Sequence, residues 1–193
     1  MELILVRHGE TEWSRSGQHT GQTDLTLTEQ GLAEGAASRA IVQQLLAGRA
    51  PRVYSSPRSR ALATADLVLP GLDRVVTPQI AEYDYGDYEG LTTAQIRARQ
   101  PGWDIWRDGC PHGETTDEVG ARADAFLAGK EGLAVAFSHG HMLRILAARF
   151  IGLPAAQGKI FTLDTAAVSV LKIVRGAPVV ALWNATRGVF PSS

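Results

Sequence analysis

The chain has 193 residues, of which 45% are hydrophobic and 20% are charged, a balance typical of a globular protein with its own core. Its formal net charge of -1 argues against nucleic acid as the main partner. No run approaches the roughly 18 apolar residues of a membrane span, and no secretory leader is recognisable. The single cysteine, Cys110, excludes an intrachain disulfide. These features predict one cytoplasmic domain over residues 1–193, with neither a membrane nor a nucleic acid partner.

Strand and helix patterns alternate along most of the chain. Short apolar runs predict strands over residues 2–6, 52–55, 75–76, 133–137, 167–174 and 178–183, the last two as a hairpin. Helical spacing and capping signals predict helices over residues 29–46, 58–69, 93–100, 116–129 and 142–150. Residues 82–113 are expected to form a long excursion over one face of the sheet. The alternation predicts an α/β sandwich with a mostly parallel sheet.

Cationic side chains follow three of the predicted strands. Arg7 and His8 end the first strand, an arginine pair follows the second, and the long buried strand ends at His139, with His141 two residues on. Open α/β sheets bind ligands beyond the carboxyl ends of their strands, so these side chains are expected at one rim. A pocket of this kind suits a phosphate dianion, because the guanidinium group binds phosphate with a bidentate fork. A single histidine after a strand is more often an ordinary surface residue. The prediction of a phosphate site therefore depends on the presence of arginine or histidine at three strand ends together.

The residue types at this rim indicate phosphoryl transfer. A neutral imidazole can attack phosphorus and form a phosphohistidine, provided that its other nitrogen donates to a backbone carbonyl. A carboxylic acid must then protonate the departing alcohol. Glu82 is the first candidate, because it begins the excursion and lies beside two tyrosines. On sequence grounds alone the competing carboxylates are Asp84, Asp87 and Glu89.

Five segments occur in an order that is informative: RHGETEW, TGQTDLTLTEQG, SSPRSRALATADL, EYDYGDYEGL and SHGHMLR. Together they resemble the histidine phosphatase superfamily, also called the phosphoglycerate mutase-like family. The resemblance implies a three-layer α/β/α sandwich and a phosphomonoester hydrolase that works through a phosphohistidine. It implies a small phosphorylated metabolite as the partner, and no metal or other cofactor.

The resemblance also implies roles for individual residues. His8 would be the nucleophile, Glu82 the general acid, and the phosphoryl group would be held by Arg7, Arg60 and His139. In the family's version of the segment SSPRSRALATA, the phosphate-binding arginine directly precedes an alanine. The matching residue in this chain is therefore Arg60 and not Arg58. Substrate contacts are expected at Ser14, Thr20, Gly21, Tyr85, Gly140 and His141.

A narrower likeness concerns the stretch WDIWRDGCPHGET. It resembles the branch that contains sedoheptulose bisphosphatase and broad-specificity acid phosphatases. This implies sugar phosphates or phosphoglycerates as substrates, and Trp103, Trp106 and Arg107 would then shape the substrate side of the pocket. The alternative is that the two tryptophans only anchor a loop to the core.

The residues disfavour several other functions. A cofactor-dependent phosphoglycerate mutase is disfavoured because the span from residue 86 to 137 is short and lacks the family's paired arginines, for which the possible substitutes are Arg97, Arg99 and Arg107. A catalytically silent phospho-ligand binding module is disfavoured because the nucleophile and the acid are both present. A metal site at the two histidines near residue 140 has no third ligand, and Cys110 lacks the arginine that a cysteine phosphatase needs six residues on. A homodimer is left open.

One geometric prediction concerns the end of the first strand. Adjacent residues on a regular strand face opposite ways, so Arg7 and His8 can share a pocket only if the strand ends there. The sequence therefore predicts that the backbone leaves strand geometry at His8, with Gly9 allowing a sharp turn. It also predicts that Arg7, His8, Arg60 and His139 surround one phosphate-sized site.

Overall fold

The computed structural model describes residues 1–186, which are built around one six-stranded sheet. The strand order across the sheet is β3-β2-β4-β1-β5-β6. The strands are β1 Glu2–Arg7, β2 Arg52–Ser55, β3 Val75–Val76, β4 Leu133–Ser138, β5 Val168–Val174 and β6 Ala177–Ala185. The first four are parallel to one another, whereas β5 and β6 form an antiparallel hairpin that pairs with β1. The predicted α/β class, mostly parallel sheet and terminal hairpin are confirmed.

The central position of β1 and β4 follows from their composition. Both are nearly continuous apolar runs, as expected of strands that are covered on both faces. They pair in register from Glu2 with Leu133 to Arg7 with Ser138, so both strands end at the same level. The residues that follow each strand therefore emerge side by side at one edge of the sheet.

Helices cover both faces of the sheet. The helices are α1 Glu12–Ser16, α2 Glu29–Leu46, α3 Ser59–Val68, α4 Thr93–Arg99, α5 Ile105–Asp108, α6 Thr116–Leu127 and α7 Gly140–Phe150. One core lies between the sheet and α2 with α3, and the other lies between the sheet and α6 with α7. The three layers predicted from the family resemblance are present.

Local capping explains where the main helices begin. Thr28 accepts a hydrogen bond from the Gly31 N–H, and Thr115 forms a complete capping box with Glu118, as the sequence predicts. Two short helices, α1 and α5, were not predicted. Each depends on a cap, at Thr11 and Asp104 respectively, and neither is long enough to show helical periodicity.

The excursion over residues 82–113 is part of the core and not a loose cover. Tyr83, Tyr88, Ile96 and Trp103 are buried in the cluster that also contains α6 and α7. The segment therefore forms a fixed wall beside the carboxyl ends of β1 and β4. None of the helices in residues 1–186 is long and apolar enough to cross a membrane.

Candidate active site

A cavity of about 230 Å³ opens at the carboxyl ends of β1 and β4. Eight of the eleven predicted site residues line it: Arg7, His8, Ser14, Thr20, Glu82, Tyr85, Gly140 and His141. Six residues that were not predicted also line it: Gly17, Gln18, His19, Thr93, Arg144 and Leu163. The three predicted residues outside the lining are Arg60, His139 and Gly21.

His8 is held in the form that a nucleophile needs. Regular strand geometry ends at Arg7, and both Arg7 and His8 face the cavity, which confirms the geometric prediction for this strand end. The Nδ1 atom of His8 lies 2.7 Å from the Gly9 carbonyl oxygen. Because a carbonyl can only accept, Nδ1 carries the hydrogen and Nε2 keeps its lone pair. Burial, with the nearby charges of Arg7 and Arg60, holds the pKa of His8 well below its usual 6.5, which keeps the ring neutral.

The glycine after His8 is required for a different reason from the one predicted. Gly9 does not adopt a positive φ, so no unusual turn explains it. A Cβ atom added to Gly9 would lie 2.3 Å from the Gly31 carbonyl oxygen at the start of α2. The loop after β1 thus lies in direct contact with the backbone of α2, and this contact fixes the position of His8 relative to that helix.

Arg7 presents a cation to the cavity. Its Nη1 atom donates to the Leu163 carbonyl oxygen at 2.5 Å, and its guanidinium carbon lies 3.5 Å from the position of a Cβ at Gly140. Its Nε is buried and has no hydrogen-bond partner among residues 1–186. Burial lowers the pKa of Arg7. An anion in the cavity would satisfy a group that the protein itself leaves partly unpaired.

Glu82 is fixed at the beginning of α7. One carboxylate oxygen accepts from the N–H groups of Tyr83 and Met142, each at 2.9 Å, and the other accepts from the His141 N–H at 3.1 Å. Its side chain is 8% exposed and lines the cavity. The competing carboxylates lie elsewhere, since Asp84, Asp87 and Glu89 are absent from the lining. Of the four candidates, only Glu82 can reach a ligand beside His8.

Arg60 and His139 do not line the cavity, and their expected contact with the phosphate stays a prediction. The Arg60 Nε atom donates to His139 Nδ1 at 3.2 Å, so the ring hydrogen of His139 is on Nε2 and is donated to the Ser56 hydroxyl at 2.7 Å. Both side chains are fully buried, and the His139 ring lies 5.2 Å from that of His8. Their positions along the chain are as expected, but tertiary packing occupies their polar atoms.

The loop over residues 20–23 explains the orientation of Arg60. The Nη atoms of Arg60 donate to the carbonyl oxygens of Thr20, Gly21 and Thr23. Glu89 binds the other side of the loop through the N–H groups of Gly21 and Thr23. A Cβ on Gly21 would lie 2.4 Å from the Tyr83 carbonyl oxygen, so Gly21 is needed for packing and does not reach the cavity.

Aromatic and imidazole rings form the outer wall of the cavity. The Tyr85 hydroxyl and His141 Nδ1 are hydrogen-bonded at 2.7 Å, and the His19 ring packs against Tyr85 with centroids 4.8 Å apart. Burial raises the pKa of Tyr85 and lowers the pKa values of His19 and His141. These three side chains are therefore uncharged at neutral pH.

The structure places Trp103, Trp106 and Arg107 in three different environments. Trp103 is 2% exposed and donates to the Gly109 carbonyl oxygen, so it anchors the loop to the core. Trp106 lies behind the cavity lining, against His141 and under the guanidinium of Arg144. Arg107 is exposed and forms an ion pair with Asp108. The anchoring interpretation is thus correct for Trp103, whereas Trp106 supports residues of the outer wall.

Two of the cavity residues that were not predicted, Arg144 and His19, could have been found from their positions in the sequence. Arg144 follows His141 by three positions on α7, and this spacing places both on one face of a helix. His19 directly precedes the predicted contact Thr20. Among residues 1–186 no three His, Cys, Asp or Glu side chains are grouped closely enough to hold a metal ion.

Comparisons with known proteins identify the family of the chain. Residues 3–186 match the family model of the histidine phosphatase superfamily, branch 1. The chain is 40% identical over 192 residues to an acid phosphatase of Mycobacterium tuberculosis, with 95% of this chain and 92% of that protein covered. It is 38% identical over 193 residues to the sedoheptulose 1,7-bisphosphatase of Saccharomyces cerevisiae, with 83% and 71% covered.

A more distant set of relatives carries another activity, and a solved structure shows the same fold. A phosphoglycerate mutase of Brucella ovis is 34% identical over 175 residues, with 80% of this chain and 84% of that protein covered. The solved structure of an open reading frame product from Mycobacterium tuberculosis superposes with a TM-score of 0.88 at 38% identity, with 96% and 97% covered. The chain therefore belongs to the histidine phosphatase superfamily, branch 1, and it is a phosphomonoester hydrolase of that family.

Proposed function

We propose that this phosphatase cleaves small sugar phosphates or phosphoglycerates through a phosphohistidine at His8. The observation that carries the proposal is the geometry of that ring. Its Nδ1 hydrogen is engaged by the Gly9 carbonyl, and the ring lines a cavity beside the Arg7 guanidinium. A neutral imidazole with a free lone pair next to a phosphate-binding cation is the arrangement that nucleophilic attack on phosphorus requires.

The reaction divides into two steps. In the first, Arg7 binds the phosphoryl oxygens, His8 Nε2 forms a bond to phosphorus, and the bond from phosphorus to the alcohol oxygen breaks. Glu82 delivers a proton to that oxygen as it leaves. In the second, the oxygen of water forms a bond to phosphorus as the bond from phosphorus to His8 Nε2 breaks, Glu82 accepts a proton from the water, and inorganic phosphate departs. Arg60 and His139 are in contact with each other near His8, and the charge of Arg60 adds to burial and to the charge of Arg7 in keeping the His8 ring neutral.

The size of the site favours a small substrate. A cavity of about 230 Å³ lies slightly below the usual range for ligand pockets of about 300–1,000 Å³. It suits a short phosphorylated carbon chain better than a phosphorylated protein loop. The hydroxyl and imidazole groups of the outer wall are suited to the hydroxyls of such a substrate.

A phosphoglycerate mutase is the second candidate, because mutases are among the relatives of the chain. The three arginines proposed as substitutes for the mutase pair, Arg97, Arg99 and Arg107, do not line the cavity. Hydrolysis is therefore the better supported reaction. Faster isomerisation of 3-phosphoglycerate than release of phosphate would reverse this assignment.

The decisive test traps the intermediate. Rapid quenching with a good phosphate ester is expected to give one phosphoryl group on His8, identified by mass spectrometry of the digested protein. His8→Ala should lose both the label and the activity, because His8 is the proposed site of the phosphohistidine. Steady hydrolysis by His8→Ala would contradict the proposal.

Two further properties are part of the proposal, and one further measurement concerns assembly. The reaction is proposed to need no metal, so activity should be unchanged in EDTA, and loss that Mg²⁺ restores would contradict this. A cytoplasmic location follows from the single cysteine and is tested by fractionation of the native cells. Light scattering on the purified protein decides between a monomer and a homodimer.

A further inference from the structure

The cavity contains a second cation that the proposed phosphoryl transfer does not use. Arg144 lies on α7, four residues after Gly140, and its side chain lines the same cavity as Arg7. A helix rises about 1.5 Å per residue, so Arg144 lies about 6 Å further along α7 than the residue that contacts the Arg7 guanidinium. Both cations therefore face one cavity, and Arg144 joins α7 about one turn beyond the point where Arg7 meets that helix.

Arg144 is held in place by uncharged groups. Its Nε donates to the Gly158 carbonyl oxygen at 3.2 Å, its Nη2 donates to the Lys159 carbonyl oxygen at 3.4 Å, and its guanidinium stacks 4.5 Å from the centre of the Trp106 ring. These contacts fix the orientation of the guanidinium but do not neutralise it. Its Nη1 atom has no hydrogen-bond acceptor among residues 1–186.

The charges of the cavity do not balance. The ion pairs found in residues 1–186 include neither Arg7 nor Arg144. Glu82 is the one carboxylate among the residues that line the cavity. A partly buried cation without a counter-ion is costly, and burial lowers the pKa of Arg144 accordingly. A phosphate monoester bound at Arg7 alone would leave this second cation unpaired.

The cavity wall beside the two cations is polar and uncharged. It includes the hydrogen-bonded pair of Tyr85 and His141, and both groups are neutral at physiological pH. The cavity thus has two cationic groups and uncharged hydrogen-bonding groups beside them. This arrangement is complementary to a hydroxylated carbon chain with an anionic group at each end.

We infer that Arg144 binds a second anionic group of the substrate, either a carboxylate or a second phosphate, while the scissile phosphate lies at Arg7 and His8. This inference rests on the proposed phosphatase activity and specifies its substrate class. Arg144 determines specificity and takes no part in bond cleavage, so its removal should change selection among substrates and not the chemical step.

The test compares substrates that differ in one charge. Glycerol 3-phosphate and 3-phosphoglycerate share a skeleton, but only the second carries a carboxylate, and a sugar bisphosphate places its second anion further away. In Arg144→Gln, kcat/KM for 3-phosphoglycerate or for the sugar bisphosphate should fall about 10- to 100-fold, as expected for loss of a charged hydrogen bond. The loss should appear mainly in KM. Glycerol 3-phosphate should change less than about threefold.

Two variants complete the design. Arg144→Lys keeps the charge and should restore most of the preference for the doubly anionic substrate. Arg39→Gln removes an exposed charge from α2, outside the cavity, and should alter neither preference nor rate. Circular dichroism and Tm show, independently of activity, whether each variant is folded.

The outcomes separate the inference from the activity on which it rests. An unchanged preference in Arg144→Gln, or an equal loss for all substrates, overturns the role of Arg144 while phosphatase activity stands. A wild-type protein that hydrolyses none of these esters overturns the proposed function itself. Loss for only one of the two doubly anionic probes supports the inference and identifies the spacing that Arg144 recognises.

Discussion

Replacing Glu82 with glutamine removes the proposed proton donor while keeping the size of the side chain. The two carboxylate oxygens accept from three backbone N–H groups, two on one oxygen and one on the other. The glutamine oxygen can replace the carboxylate oxygen that accepts from Tyr83 and Met142, and the glutamine NH₂ group then faces the His141 N–H, where no hydrogen bond can form. One buried hydrogen bond is then lost, at a cost of about 1–3 kcal/mol. For a domain of this size, that lowers Tm by about 2–12 °C, so the variant should remain folded at 25 °C.

The kinetic effect should depend on the leaving group. General acid catalysis contributes about 10²- to 10⁴-fold, so kcat/KM for an alkyl phosphate such as glycerol 3-phosphate should fall by that factor in Glu82→Gln. Nitrophenolate leaves without a proton, so kcat/KM for nitrophenyl phosphate should fall less than about tenfold. The ratio kcat/KM is the right measure because it reports the steps up to the phosphohistidine and excludes its later hydrolysis.

A matched control uses a carboxylate from the same segment. Asp87 is exposed and pairs with His112 outside the cavity, so Asp87→Asn should leave both rates unchanged. Stopped assays of phosphate release, with Tm measured on the same samples, suffice for the comparison. Equal slowing of the alkyl and nitrophenyl esters in Glu82→Gln would refute the role of this residue as general acid.

Two further predictions concern the surroundings of His8. Burial holds the pKa values of His8 and His139 well below 6.5, so the unfolded chain binds more protons than the folded protein as pH falls from about 6.5. The free energy of unfolding should then decline by about 1.4 kcal/mol per pH unit for each histidine below pH 6.5. The acid limb of the kcat/KM profile that reports protonation of His8 should lie below pH 6.5. A Tm that stays constant from pH 7 to pH 5 would contradict the predicted loss of stability. Gly9→Ala should lower Tm by about 2–12 °C and reduce activity, because its Cβ meets the Gly31 carbonyl oxygen. In the control Gly35→Ala the one tight contact of the new Cβ is with the flexible end of the Leu67 side chain, at 2.9 Å, so an equal loss of Tm in both would contradict the backbone explanation.

Local signals were sufficient for most of the architecture. The apolar runs of β1 and β4 and the caps at Thr28 and Thr115 determine elements by interactions within a few residues. The start of α7 was expected at Met142 but lies at Gly140, because His139 occupies the N-cap position without a side-chain capping bond. No cap signal marked this boundary in the sequence.

The amino-acid sequence by itself determined which residues stand at the strand ends, and hence the position of His8, Arg7 and the phosphate chemistry. It could not determine which polar atoms remain available, because a side chain's partners come from segments far apart in the chain. Arg60 is engaged by a loop about 40 residues away, and His139 by Ser56 across the sheet. The orientation of Arg144 toward the cavity is determined by the tertiary structure alone, because it depends on packing against Trp106 and on the carbonyl groups of Gly158 and Lys159.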